Sequence, residues 1–316
     1  MWLLLALPAL LGAAFLLDSD DDDDHHAERS EDTDPPPEDD STGGATPEEE
    51  PSDVLRLTGT EGDNNFRILG DKPYRIDGRG GDDKVRAGPG DNTVFGGAGT
   101  DILLGEGGDD RLFGNADPDL VEGGPGNDAI FLGDGNDESG TSILYASTVG
   151  ELTMALEMQT GDDLIRGGDG DDLIIDIRGS NTIYGDLGDD VLLAYDHEDE
   201  HSPDIVHGGY GDDRLAGDDG DTLTGGAGAD EIYVASSIDM VKEIVTVTDF
   251  DPAEDNLVID VLGDDLSGVN EDEEIVIRET EDGLILELFE QQVALLQGLR
   301  LADLPADTSA MFTISV

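Results

Sequence analysis

Gly96-Gly97-Ala98-Gly99-Thr100-Asp101-Ile102-Leu103-Leu104 is a nine-residue unit that recurs in register on both sides. Ala87-Gly88-Pro89-Gly90-Asp91-Asn92-Thr93-Val94-Phe95 precedes it, and Gly105-Glu106-Gly107-Gly108-Asp109-Asp110-Arg111-Leu112-Phe113 follows. The division runs without a gap from Gly78 to Gly140, and an isolated unit, Gly59 to Arg67, lies upstream. Register is lost over Thr141 to Glu157, which reads as a strand-rich spacer, and resumes from Met158 through Leu193. Five residues, Ala194 to Glu198, are inserted before the array continues to Tyr233, with one residue missing from the unit Gly217 to Thr224. This register gives 16 units. A fixed short period is the signature of a stacked architecture, in which each unit buries its apolar face only against its neighbours.

Three columns define the unit. The sixth position reads Asn64, Asp83, Asn92, Asp101, Asp110, Asp119, Asp128, Asp137, Asp163, Asp172, Asn181, Asp190, Asp204, Asp213, Asp221 and Asp230. Every one offers an oxygen ligand of the kind that hard cations prefer. The eighth position is apolar in 15 of 16 units, Ser139 being the exception. The fourth is Gly in 14 of 16, with Asp117 and Ser202 the exceptions. A disordered Gly-Asp tract has no need of an apolar residue two places after each acid.

Glycine permits positive φ and close backbone approach, so loop carbonyls can turn toward an ion. The carboxylate supplies charge, and the lone apolar residue on a short strand fills a thin core. One unit then makes half a turn of a coil, and units 18 residues apart stack on the same side. Asp101 is expected beside Asp83 and Asp119, and Asp110 beside Asn92 and Asp128.

The pattern resembles the G-G-x-G-x-D-x-U-x nonamer of the RTX, or haemolysin-type calcium-binding, family, over about half the chain. The resemblance implies an all-β fold: a right-handed parallel β-roll of about 16 nonapeptide units, followed by a β-rich C-terminal cap. It also implies multiple Ca2+ ions held by sixth-position side chains and loop carbonyls. Residue by residue, that role passes to Asp83, Asn92, Asp101, Asp110, Asp119, Asp128, Asp137, Asp163, Asp172, Asn181, Asp190, Asp204, Asp213, Asp221 and Asp230. The Asn members lack charge, and the units with Asp117 or Ser202 are expected to form imperfect or empty sites. Gly225 to Tyr233 followed by Val247-Thr248-Asp249-Phe250-Asp251-Pro252 is similar to the family's roll-to-cap junction. The region beyond, with Leu296-Gln297-Gly298-Leu299 and Ala302-Asp303-Leu304, resembles its C-terminal part, which implies one-step (type I) export machinery of a Gram-negative bacterium as a partner.

Composition fits a chain that folds around cations. Asp and Glu number 78 against 15 Lys and Arg, a formal charge of −63. A compact domain so charged repels itself unless counter-ions are bound, and nucleic acid is excluded as a partner because its phosphates meet like charge. There is no Cys, hence no disulfide framework. The chain divides into an apolar signal- or anchor-like segment (1–17), a disordered acidic linker (18–52), a first repeat block (53–140), the spacer (141–157), a second block (158–233) and a β-rich cap and secretion region (234–316). Residues 2–17 offer membrane contact. The linker carries 16 acidic residues from Asp18 to Glu50 and has almost nothing to bury.

His197-Glu198-Asp199-Glu200-His201 matches H-E-x-x-H, with His207 further on. That zinc motif needs a helix to bring both His onto one face. Here Pro203 follows and the flanks are repeat units, so the match reads as chance in an acidic loop. No nucleophile elbow or P-loop is present, and Cys chemistry is impossible. The expectation is a non-catalytic, extracellular or cell-surface protein that folds on calcium and meets an unidentified surface or matrix ligand. A secreted enzyme on a β-roll chassis, metalloprotease-like or polysaccharide-modifying, is the alternative.

Overall fold

A computed structural model describes residues 54–140, 160–195, 202–218, 220–237, 243–262, 275–306, 308 and 311–315. The apolar segment 1–17, the acidic linker 18–52, the spacer 141–157 and the His197–His201 motif lie outside the described residues. The described chain is all-β, its strands alternating between two sheets of thirteen and eleven strands. Strands of one sheet pair in parallel with the strand two units away. Thr93–Ala98 thus lies between Tyr74–Gly80 and Arg111–Ala116, and Ile102–Leu104 lies between Lys84–Arg86 and Leu120–Glu122. Two units make one turn of a parallel β-roll, as the period requires.

The two sheets differ in strand length. In the thirteen-stranded sheet a strand such as Thr93–Ala98 is 6 residues long, because the seventh to ninth positions run on into the next unit. In the other sheet Ile102–Leu104 is 3 residues long, because the chain turns at once. Side chains alternate across a strand, so the eighth position points inward and its neighbours point out. Val94, Leu103, Leu112 and Val121 are fully buried in this way. Each contributes roughly 1.5–3 kcal/mol, but the core is only two side chains thick.

Irregularities in the repeat are absorbed without loss of register. Ala129–Asp134 pairs directly with Leu164–Asp169, and Glu138–Ser139 with Leu173–Ile175, so the chain leaves for the spacer and returns at the same level. The unit Gly59–Arg67 is continuous with the array: Asn65–Arg67 pairs with Lys84–Arg86, and Leu55–Thr58 with Tyr74–Gly80. The half-turn between them, residues 68–77, has no sixth-position acid and gave no sign of the repeat.

Beyond the repeats, the strand Glu231–Ser237 runs across the 233/234 boundary. Val245–Val247 and Asn256–Leu262 then add a further turn to the two sheets. Gln291–Gln297 joins in parallel, Gly283–Leu288 and Val276–Glu279 follow antiparallel, and Phe312–Ser315 closes the other sheet. One hydrophobic cluster extends from Ile76 to Ile314. Phe250 and Phe312 stack at 5.8 Å where the end of the roll is covered. The outermost strand carries Arg278 and Glu279, charges that discourage another chain from pairing with that edge.

Candidate metal centre

The sixth-position residues stand in two rows, one along each edge of the roll. In each row a side-chain Oδ1 accepts the backbone N–H of the sixth-position residue one turn earlier. The Asp83 N–H donates to Asp101 (2.7 Å), Asp101 to Asp119 (2.8 Å), and Asp119 to Asp137 (2.7 Å). The row continues across the spacer from Asp137 to Asp172 (2.8 Å), then to Asp190 (2.8 Å), Asp213 (2.9 Å) and Asp230 (3.0 Å). The second row passes through Asn92, Asp110, Asp128, Asp163, Asn181, Asp204 and Asp221 in the same way. Sequence separations along the rows show how little the ladder needs: 18 residues normally, 35 across the spacer, 23 across the insertion and 17 across the deletion. Only the N–H and the next carboxylate must meet.

A second ladder escaped the reading of the sequence. The fifth position holds Asp or Asn in ten units, and each of those side chains accepts the fifth-position N–H of the following turn. Asp82 Oδ1 accepts from Thr100 (3.2 Å) and Asp212 Oδ1 from Ala229 (2.7 Å). Fifth-position side chains therefore reach forward and sixth-position ones back, so each turn is tied to both neighbours. The signal was the column's own bias toward Asp and Asn, masked by the general acidity.

The sixth-position carboxylates carry the site's chemistry through their other oxygen. Oδ2 of Asp83, Asp101, Asp110, Asp119, Asp128, Asp137, Asp172, Asp190, Asp213 and Asp230 is buried with no hydrogen-bond partner. Orphaned carboxylate oxygens are costly, and a native fold does not leave ten of them uncompensated. Burial pushes Asp172, Asp190 and Asp213 up to about 8, and the neighbouring acid in the row adds to it, while the N–H given to Oδ1 pulls the other way. Asp119 is likewise raised to about 8, Asp110 and Asp128 to about 7, and Asp101, Asp137 and Asp230 to about 6, with burial first among the causes. These groups are built to meet positive charge. Among the described residues no three Asp, Glu or His side chains converge as a metal site. A cation at these loops would need main-chain carbonyls along with its carboxylates, which the oxygen-only donor set of calcium allows.

Other sixth-position residues close on themselves. The Asn92 amide donates to the Gly88 (3.0 Å) and Gly90 carbonyls, and that of Asn181 to Arg178 and Gly179 (3.3 Å each). An amide N–H thus satisfies loop carbonyls where an Asp would leave both sides unmatched. Asp221 Oδ2 accepts the Asp218 N–H (2.7 Å) across the shortened unit. Asp255, outside the recognisable repeat, ends its row by accepting from Asp230 (3.1 Å) and Asp251 (2.7 Å). Asp163 hydrogen-bonds the Asp176 carboxyl. Asp117 takes the left-handed conformation its glycine counterparts use (φ 72), so the turn before Asp119 keeps its shape. His207 faces outward, stacked on Tyr184 at 4.9 Å, and burial lowers its pKa.

Glycine is required where turns touch. A Cβ on Gly185 would lie 2.6 Å from the Gly208 carbonyl oxygen and nearer still to Asp190 Oδ2. Gly185→Ala is expected to cost about 1–3 kcal/mol through overpacking. A melting temperature unchanged from the parent in saturating calcium would refute that cost.

The family model for the RTX calcium-binding nonapeptide repeat (4 copies) matches residues 77–112, 104–138, 159–192, 177–199, 203–221 and 207–241. No curated protein matches the chain. Those repeats bind multiple calcium ions, and the ten orphaned carboxylate oxygens fit that chemistry. Between residues 77 and 241 this chain carries RTX calcium-binding nonapeptide repeats.

Proposed function

We propose that the protein is a secreted or cell-surface, non-catalytic β-roll that folds on calcium outside the cell and serves as a structural or interaction module. The observation that carries this reading is the set of ten buried, partnerless Oδ2 atoms. It supports Asp83, Asp101, Asp110, Asp119, Asp128, Asp137, Asp172, Asp190, Asp213 and Asp230 as the residues that hold calcium. Asn92, Asn181 and Asp221, whose polar atoms are already engaged, are assigned the structural ladder alone.

At the low free calcium of a cell interior, a chain of charge −63 is kept extended by self-repulsion, in a state suited to threading through an exporter. Outside, calcium supplies the compensating charge, and its binding energy becomes folding energy. Extracellular calcium modules work at Kd of about 10⁻⁴–10⁻³ M, and stacked repeats respond cooperatively. Type I export and a surface ligand complete the proposal.

The test is a calcium titration of the metal-free full chain at pH 7.4, followed by far-UV circular dichroism with magnesium as control. A cooperative coil-to-β transition below about 10⁻³ M calcium, reversed by chelator, is expected. A spectrum indifferent to calcium defeats the proposal.

A further inference from the structure

The two ends of the roll differ in how they are finished. The C-terminal strands close over the core, whereas Leu55–Thr58 and Asn65–Arg67 begin the two sheets and, among the described residues, each pairs on one side only. Leu55 is 42% exposed at this open end and Leu69 82%. Charge is divided just as unevenly. Seven of the chain's 15 basic residues fall between Arg56 and Arg86, against six acids, while the remainder of the chain has 8 bases against 72 acids.

Strand register sets these bases side by side in both sheets. Arg56 lies opposite Arg75, and Arg67 opposite Arg86. Neighbouring strands are about 4.8 Å apart, and like charges facing each other across them destabilise a sheet. In a chain this poor in bases, the pairs concentrate positive charge at one place. Arg75 lies over the Phe95 ring at 4.4 Å, and Arg86 donates to Glu106 (2.7 Å). Arg67, Lys72 and Lys84 are exposed and meet no carboxylate among the described residues.

The sequence that leads into this end has the opposite charge. Asp18 to Glu50 holds 16 acidic residues and one Arg, and Glu50 stands five residues before Leu55. A tether of that length reaches about 30 Å, which holds its acids near the basic end at about millimolar effective concentration. The rest of the roll, dominated by acids, repels the same segment. We propose that the acidic segment 18–50 docks on the basic N-terminal end of the roll, its carboxylates meeting the Arg56–Arg75 and Arg67–Arg86 pairs. Docked there, it screens two open strand edges that would otherwise invite pairing with another chain.

The chain has three lysines, Lys72, Lys84 and Lys242, so zero-length carbodiimide coupling of amine to carboxylate reports where the acids lie. The full chain is coupled in saturating calcium at low salt, and the joined peptides are identified by mass spectrometry. Lys72 and Lys84 are expected to join acids between Asp18 and Asp40 within one chain, more often than Lys242 does. These joins should vanish at about 1 M salt, where the screening length falls to about 3 Å. Replacing the exposed Arg56 and Arg67 together by Gln should cut the Lys84 joins about threefold or more, with unchanged circular dichroism. Joins confined to acids of the repeats, joins equally frequent from Lys242, joins that survive salt, or an undiminished yield in the folded variant would overturn the proposal. Joins found only in covalent dimers would give the basic end to a second copy of the chain and overturn it as well. Should the double variant not fold, the salt response of the parent chain decides.

Discussion

Metal-free full chain at pH 5 is expected to show the β-sheet circular dichroism that, at pH 8, it shows only with millimolar calcium. The cause is the row of buried carboxyls. Burial raises Asp172, Asp190 and Asp213 from 3.8 to about 8. Between those values the folded state holds protons that the unfolded chain has released. Stability rises with pH only where the unfolded state binds more protons; here the folded state does, so stability falls. The contribution is fully present below pH 3.8 and is lost as pH passes through about 8. Each such group weakens the cation-free fold by about 1.4 kcal/mol per pH unit in that window. Three of them across three pH units amount to about 12 kcal/mol, and a third of that would still consume much of a typical stability of about 5–15 kcal/mol. Asp119 at about 8 and Asp110 and Asp128 at about 7 act in the same direction. The choice of pH 5 keeps the chain clear of its pI near 4.1, where loss of net charge favours aggregation. A metal-free chain unfolded at pH 5, or folded at pH 8, would contradict this account.

The nonamer was readable because its two constraints lie close together in the chain: an acid at the sixth position and an aliphatic at the eighth. Together they fix the turn, the inward residue and the 18-residue stacking distance. Residues 68–77 were not readable, since they keep the inward aliphatic, Ile76 opposite Val94, but hold Tyr74 where the acid of the sixth position stands in other units. Asp255 was missed for the opposite reason. It performs the sixth-position role in a segment, Asp249 to Asn256, whose spacing departs from the nonamer. The family resemblance placed ligands at every sixth position, Asn included. Which of them leave an oxygen unsatisfied depends on how the second side-chain atom sits in its own loop. For Asn92 that atom is a donor facing carbonyls, for Asp221 an acceptor facing the Asp218 N–H, and for Asp190 an acceptor facing nothing. Residue identity alone does not separate the last two.

Replacing Asp172, Asp190 and Asp213 together by Asn is expected to leave a folded roll that binds three fewer calcium ions and resists calcium removal better than the parent. Asn retains the Oδ1 acceptor on which the ladder depends, as Asn181 shows by accepting the Asp163 N–H at 3.0 Å. Its amide also takes over the carbonyls of its own loop, as Asn92 does with Gly88 and Gly90. Three buried charges disappear from one continuous row, each of which costs several kcal/mol when unpaired. The metal-free triple variant should therefore melt at a pH about one unit higher than the parent. Circular dichroism against pH reads the shift, and native mass spectrometry reads the ion count. Loss of the fold in saturating calcium would show that the carboxylates do more than meet a cation, and an unchanged ion count would remove them from the calcium sites altogether. The reverse change, Asn181→Asp, takes away the amide hydrogens that the Arg178 and Gly179 carbonyls now receive and should bind one ion more. The same oxygen can be satisfied by a proton, by an amide in place of the acid, or by calcium. Of these only calcium varies between a cell's interior and its surroundings at constant sequence and neutral pH, which is why an acidic row serves as a folding switch and an amide row would not.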